Sequence, residues 1–199
     1  MKRSINVLIT TLMVTSCTSL TAQNSKFSRG IYLTEQDYKA NKLNYNLNND
    51  DKMVLNEFLD GKNVRLTYHG KKIKLAKNEI YGYRLNNQTF RFYHNEAYRI
   101  LDTAGFMLYS HQTLRQQGKG YKPLPQYFYS TNSSPMLLEL TIENLWNSFP
   151  EQPGFRYSLQ NYFNKNGNLM EYDKPSNMYK IKYLYFQQKQ VLAAHPKFQ

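Results

Sequence analysis

Cysteine is almost absent from this chain: Cys17 is the only one, so nothing after residue 22 carries a thiol. Disulfide staples, thiolate metal sites and cysteine nucleophiles are therefore excluded from all but the first segment. Tryptophan is equally rare, one residue against 18 Tyr and 11 Phe. Acids are scarce, 14 against 26 Lys and Arg, which leaves a formal charge of +12. Such a field favours acidic partners (phosphorylated lipids, acidic glycans, nucleic acid) and repels other cations. A basic surface also serves solubility alone, and composition does not choose between the two. Long hydrophobic runs are missing too. The apolar stretch Ile5 to Val14 falls well short of the ~20 residues a membrane-crossing helix needs.

What is present describes an ordinary folding chain with an address at its front. At 199 residues and 41% hydrophobic content it suits one domain, and a domain of that size buries roughly 70% of its unfolded surface without a metal or disulfide. Lys2 and Arg3, the apolar Ile5 to Val14 and the small, polar TSCTSLTAQ together predict an export signal. Cleavage after Ala22 leaves Gln23 first, and the small residue closing Leu20-Thr21-Ala22 suits it. Cleavage before Cys17 instead yields a lipid-modified cysteine. Losing Lys2 and Arg3 lowers the formal charge by two, so the remainder stays strongly basic.

Beyond the signal, residues 23–199 read as a single α+β domain, β-rich over 30–140 and helical over 141–190. Gly30 to Leu33 is a short strand, and Thr34 caps a polar helix TEQDYKANK with Asp37 completing a capping box. NYNLNNDDK reads as loop, and Val54 to Lys62 as a strand or a helical turn. In VRLTYHGKKIKLA, alternation predicts a hairpin. A loop at Gly70-Lys71 then pairs Tyr68 with Ile73 and Leu66 with Leu75, with Gly70 supplying the positive φ of a type II′ turn.

The next stretch, IYGYRLNNQTFRFYHNEAYRIL, is crowded with rings and arginines. An Asn86-Asn87 turn pairs Tyr83 with Phe90, Tyr81 with Phe92 and Arg84 with Thr89; the neighbouring register opposes Arg84 to Arg91, a like-charge pair. A turn through Asn95-Glu96-Ala97 pairs Phe92 with Ile100 and Tyr93 with Arg99. On that reading the rings form a core face, and Arg84, Arg91, Arg99 and Tyr93 share the other.

A strand from Phe106 to His111, a loop LRQQGKGYKPLP and further strands at QYFYS and MLLEL follow. Helices come last: TIENLWNSF after a Thr141 cap, FRYSLQNYF with Phe155, Leu159 and Phe163 in register, and NMYKIKYLYFQQKQ after Ser176 with Met178, Ile181 and Tyr185 on one stripe. The expected architecture is an antiparallel β-meander or small barrel of about six to eight strands, followed by two or three helices.

Catalytic signals are weak. The four histidines, at 69, 94, 111 and 195, have no metal-ligand spacing, and carboxylates such as Glu79, Glu96 or Asp102 meet them only if the fold brings them together. No serine-nucleophile motif is present, and Gly118-Lys119-Gly120 lacks the glycines of a phosphate loop. The planar donors of Arg84, Arg91 and Arg99 beside Tyr93 suit a phosphate or carboxylate.

The segments GIYLTEQDYKANKLNY, KNEIYGYRLNNQTFRFYHNEAYRIL, LTIENLWNSFP and YDKPSNMYK resemble elements of uncharacterised exported proteins of Bacteroidota-type Gram-negative bacteria. The resemblance runs from Gly30 to about Lys180 and implies a periplasmic, outer-membrane or secreted location. It implies no ligand or catalytic residue. The expectation is a non-enzymatic envelope module for acidic glycan, lipid headgroup or envelope protein. It involves no cofactor, metal or nucleic acid, and meets a membrane only through a lipidated Cys17. The alternative is an envelope hydrolase of glycan or peptide with His94 or His111 as base.

Overall fold

A computed structural model describes residues 28–55, 61–163 and 168–194, with side chains as far as Lys189. The expected signal, Cys17, the cut at Ala22 and His195 lie outside the described residues. The chain is an α+β fold on an open antiparallel sheet of eight strands. β1 (Arg29–Tyr32) leads into α1 (Glu35–Lys39), then β2 (Tyr45–Leu47), β3 (Lys52–Val54), β4 (Asn63–Tyr68) and β5 (Lys71–Ala76). A six-strand meander follows: β6 (Gly82–Leu85), β7 (Gln88–Tyr93), β8 (Glu96–Asp102), β9 (Met107–Gln117), β10 (Gly120–Thr131) and β11 (Ser134–Glu139). β1 and then β2 extend the meander beyond β6, so the sheet ends at β2 and β11 and does not close into a barrel. α2 (Ile142–Ser148), α3 (Pro153–Tyr162), a small pair β12 (Tyr172–Asp173) and β13 (Met178–Tyr179), and α4 (Lys180–Ala194) complete the chain. Among the described residues no helix is long and apolar enough to cross a membrane.

Cross-strand partners share a face, so the registers trace both faces of the large sheet. Phe90 opposes Arg99, Arg99 opposes Ser110, and Ser110 opposes Tyr127. This face is covered by two layers. At one end β3, β4 and β5 form a three-stranded sheet whose Val64 and Leu66 pack with Ile31, Tyr83 and Phe92. At the other end α2, α3 and α4 bury Leu145, Phe149, Phe155, Leu159, Ile181 and Tyr185 against Phe106, Leu108 and Tyr129. The stripe Phe155, Leu159, Phe163 is wholly buried, as its spacing predicted. Among the described residues α1 packs on the opposite face through Tyr38, and its Thr34 cap and Asp37 form the expected capping box.

Several local expectations change. The β4–β5 turn is His69-Gly70, both at positive φ, which is a type I′ geometry and not type II′. Leu66 consequently faces Ile73 and Val64 faces Leu75. The shift is by two residues, so the apolar face survives it. NYNLNNDDK is not simply loop: β2 and the start of β3 lie in it, recruited by pairing with β1 and β4. LRQQGKGYKPLP is not loop either, because β9 and β10 pair continuously to Gln117 and Gly120. Met178 belongs to β13 and α4 begins at Lys180, two residues after the anticipated stripe starts.

Asp51 ties the two sheets together at their turns. Buried, it accepts the amide protons of Asn48 (2.9 Å) and His69 (2.7 Å). Those two backbone donors, helped by nearby His69 and Arg29, hold its carboxyl below the usual aspartate range. A depressed folded value contributes stability above the unfolded pKa of about 4, and that contribution disappears as pH falls through the folded value. Urea unfolding across the acid limb should show a smaller loss of stability on acidification for Asp51→Asn than for the parent. Parallel curves would show that Asp51 does not contribute to acid sensitivity.

Candidate functional site

The structure splits the predicted cationic face. Asn86-Asn87 does form the β6–β7 turn, and Arg84 opposes Thr89 as expected. The next turn is His94-Asn95, both with positive φ, which suits a two-residue I′ turn. Phe92 therefore faces Ala97, not Ile100, and Tyr93 faces Glu96, not Arg99. That is an odd shift of three, and an odd shift turns every later side chain to the other side. Arg99 lies with Phe90 on the covered face, whereas Arg84, Arg91 and Tyr93 keep the open face. Tyr83, Phe90 and Phe92 are core as predicted. Tyr81 is not: its backbone carbonyl accepts from Phe92, but its ring stacks on Tyr38 of α1 at 5.0 Å on the open side.

Arg84 and Arg91 meet again in a cleft of about 670 Å³ on the open face, between α1 and the ends of β9, β10 and β11. Tyr38, Ser130, Asn132 and Pro135 line it with them. Gly82, directly across from Arg91, keeps the floor tight: a Cβ there would lie 2.0 Å from the Phe90 carbonyl oxygen. Arg91 stands among three tyrosine rings, 5.6 Å from the centre of Tyr81, 5.8 Å from Tyr93 and 5.9 Å from Tyr109. It donates to the Pro135 carbonyl (2.7 Å) and to Tyr109 Oη (3.1 Å), which itself lies 3.0 Å from Ser130 Oγ. This network fixes the guanidinium in orientation. Arg84 is held more loosely, by a 3.3 Å contact to Ser28 and the face of Tyr32 at 5.6 Å.

Electrostatically the cleft is one-sided. Glu35 at its rim is 2.7 Å from Lys39, so those two charges offset each other. Among the described residues no ion pair includes Arg84 or Arg91. Burial raises the pKa values of Tyr32, Tyr38 and Tyr81, so all three phenols stay neutral at physiological pH; Tyr38 is the one that lines the cleft, and Tyr32 donates to Asn41. Tyr81 Oη is buried without a hydrogen-bond partner among the described residues. The arrangement suits a compact anion, a phosphate or carboxylate, met by two guanidinium groups with hydroxyl and amide donors around it. Sequence reasoning missed Tyr38, Ser130 and Asn132. The one available signal was Tyr38, a lone aromatic ring in an otherwise polar helix.

Among the described residues one histidine meets a carboxylate. His111 does meet Glu96, with Nε2 3.4 Å from Oε2, but its Nδ1 is 3.0 Å from the Ala97 carbonyl. Both ring nitrogens are thus engaged, and His111 is not among the residues that line the Arg84 cleft. His69 and His94 occupy turns, as expected. Among the described residues no group of three His, Cys, Asp or Glu converges as for a metal ion. No protein family, curated protein or solved structure matches this chain.

Proposed function

We propose that this is an exported, non-enzymatic envelope protein whose open sheet face binds an acidic group of envelope material. The observation that carries the reading is the pair Arg84 and Arg91, two guanidinium groups lining one cleft with no carboxylate partner among the described residues. With Glu35 at the rim taken up by Lys39, a cation pair free of ion pairs among the described residues, in a protein of charge +12, invites an anion from outside. The export expectation rests on Lys2, Arg3 and the apolar Ile5 to Val14. Phosphate esters and uronate carboxylates share the required chemistry, and Arg binds either in bidentate fashion.

Arg84→Gln is the cleaner probe, because Arg91 also supports Pro135 and Tyr109. Losing one charged hydrogen-bonding partner is worth about 1.5–3 kcal/mol, so the affinity for inorganic phosphate or a polyuronate should fall roughly tenfold or more by calorimetry. Arg99→Gln, on the other face, should bind like the parent. Equal affinities for the parent and Arg84→Gln would remove the cleft from the account.

A further inference from the structure

The hairpin of β9 and β10 leaves the sheet. β8 accompanies β9 only to Ser110, and β11 accompanies β10 only from Phe128, while the two strands stay paired out to Gln117 and Gly120. Beyond His111 and Gln126 they form a free two-stranded ribbon. Besides its backbone ladder it is tied by Thr113 Oγ1 to the Leu124 carbonyl at 3.3 Å and by Gln116 to the Gly118 carbonyl at 3.5 Å. An isolated two-stranded ribbon is only marginally stable in water, so one this long calls for a partner.

Its faces differ in chemistry. Leu114 opposes Pro123, Gln116 opposes Tyr121 and Gln112 opposes Pro125. This side is largely apolar, and Leu114 and Tyr121 are 62% and 69% exposed. On the other side Arg115 directly opposes Lys122, a like-charge pair, and Lys119 stands in the turn. No Asp or Glu occurs between Asp102 and Glu139 to relieve that repulsion within the hairpin. Pro123 and Pro125 lack an N–H, and a proline in a paired strand keeps that side turned outward. The free edge of β10 is therefore a poor template for a further strand, whether from another protein or a second copy. The β9 edge beyond Ser110 has no proline, but a strand added there would leave the exposed Leu114 and Tyr121 and the opposed Arg115 and Lys122 uncovered; these call for docking face-on, by a surface that is apolar on one level and anionic on the next.

We propose that this ribbon docks on an anionic lipid surface. Leu114, Tyr121 and Pro123 enter on the acyl side of the headgroup layer, and Arg115, Lys119 and Lys122 meet the lipid phosphates. Amphipathic elements lie in a bilayer interface in this way, with tyrosine at headgroup depth and long cationic side chains reaching to the phosphates. A polyanion without an apolar layer, such as an acidic glycan, would match the cations but leave Leu114 and Tyr121 uncovered. The site is separate from the Arg84 cleft, and the two proposals stand or fall independently.

The test uses the full chain with vesicles of phosphatidylcholine, with and without phosphatidylglycerol. Binding should require the anionic lipid. The triple change Arg115→Gln, Lys119→Gln, Lys122→Gln should weaken it roughly a hundredfold, since each cation contributes about a factor of five. Any binding by the N-terminal apolar segment is common to both chains and cancels in this comparison. Tyr121→Trp should be quenched by brominated lipid, whereas the native Trp146 in the helical layer should not. These side chains are exposed, so all the variants should keep the parental melting temperature. Equal vesicle affinity for the triple variant, an unquenched tryptophan at position 121, or ribbon-dependent binding to dextran sulfate without binding to vesicles would each overturn the proposal.

Discussion

Replacing Lys182 with methionine should lower the unfolding free energy by about 3 kcal/mol at neutral pH, the scale of removing one partner from a buried charged network. Lys182 is fully buried on α4, and its ammonium donates to the carbonyls of Ala104 (2.7 Å) and Phe106. Asp102 Oδ1 is 3.7 Å away, and the Phe106 ring centre 3.8 Å. Methionine fills the same space but strands two carbonyls and removes the counter-charge of Asp102. Burial, opposed by Asp102, pulls the Lys182 pKa down to about 8 from the usual lysine value of 10.5. Between those values the unfolded chain binds the extra proton, so stability rises with pH over that window. The slope is at most about 1.4 kcal/mol per pH unit, a climb of about 2 kcal/mol between pH 8 and 10. Above about pH 10 the sign reverses, because Tyr32, Tyr81 and Tyr129 hold their protons in the folded state after the unfolded chain releases its own. Denaturant midpoints against pH should therefore peak near pH 10 in the parent and lack the rise in Lys182→Met. A flat parental profile from pH 8 to 10 would sink the protonation argument, and an equally stable variant the fastening role.

Phe106→Ala should be at least as damaging, by about 3–5 kcal/mol, with a fall of roughly 10 °C in melting temperature. Phe106 is fully buried, and its ring meets those of Tyr129, Phe149, Phe155 and Tyr185 at 5.3 to 6.4 Å. It therefore joins the sheet to all three helices and also roofs the Lys182 ammonium. Alanine leaves a cavity among elements that cannot all close on it, while Phe106→Leu retains most of the volume and should cost under about 2 kcal/mol. Comparable melting temperatures for Phe106→Ala and the parent would mean that the helical layer does not depend on this ring.

The contrast between readable and unreadable features has a consistent physical basis. Thr34 with Asp37, the Asn86-Asn87 turn and the Phe155-Leu159-Phe163 stripe were legible because each depends on neighbours a few residues away. β2 and β3 were not, since their strands form only by pairing with β1 and β4. The free hairpin was hidden by its own Gly118, Pro123 and Pro125. These look like loop residues, but the glycine supplies the turn and the prolines sit where no inward N–H is needed.

Alternation and capping, written in the order of the residues, were sufficient for an α+β chain with sheet first, helices last and Tyr83, Phe90 and Phe92 inside. Which cations share a side was settled instead by the turn at His94-Asn95, where one odd step in register parts Arg99 from Arg91. The cleft needed more still: α1 and the distant ends of β9, β10 and β11 had to close over Arg84 and Arg91. Local pattern specifies which way a side chain faces within its own strand, whereas a site is built from contacts between segments that no short-range rule brings together.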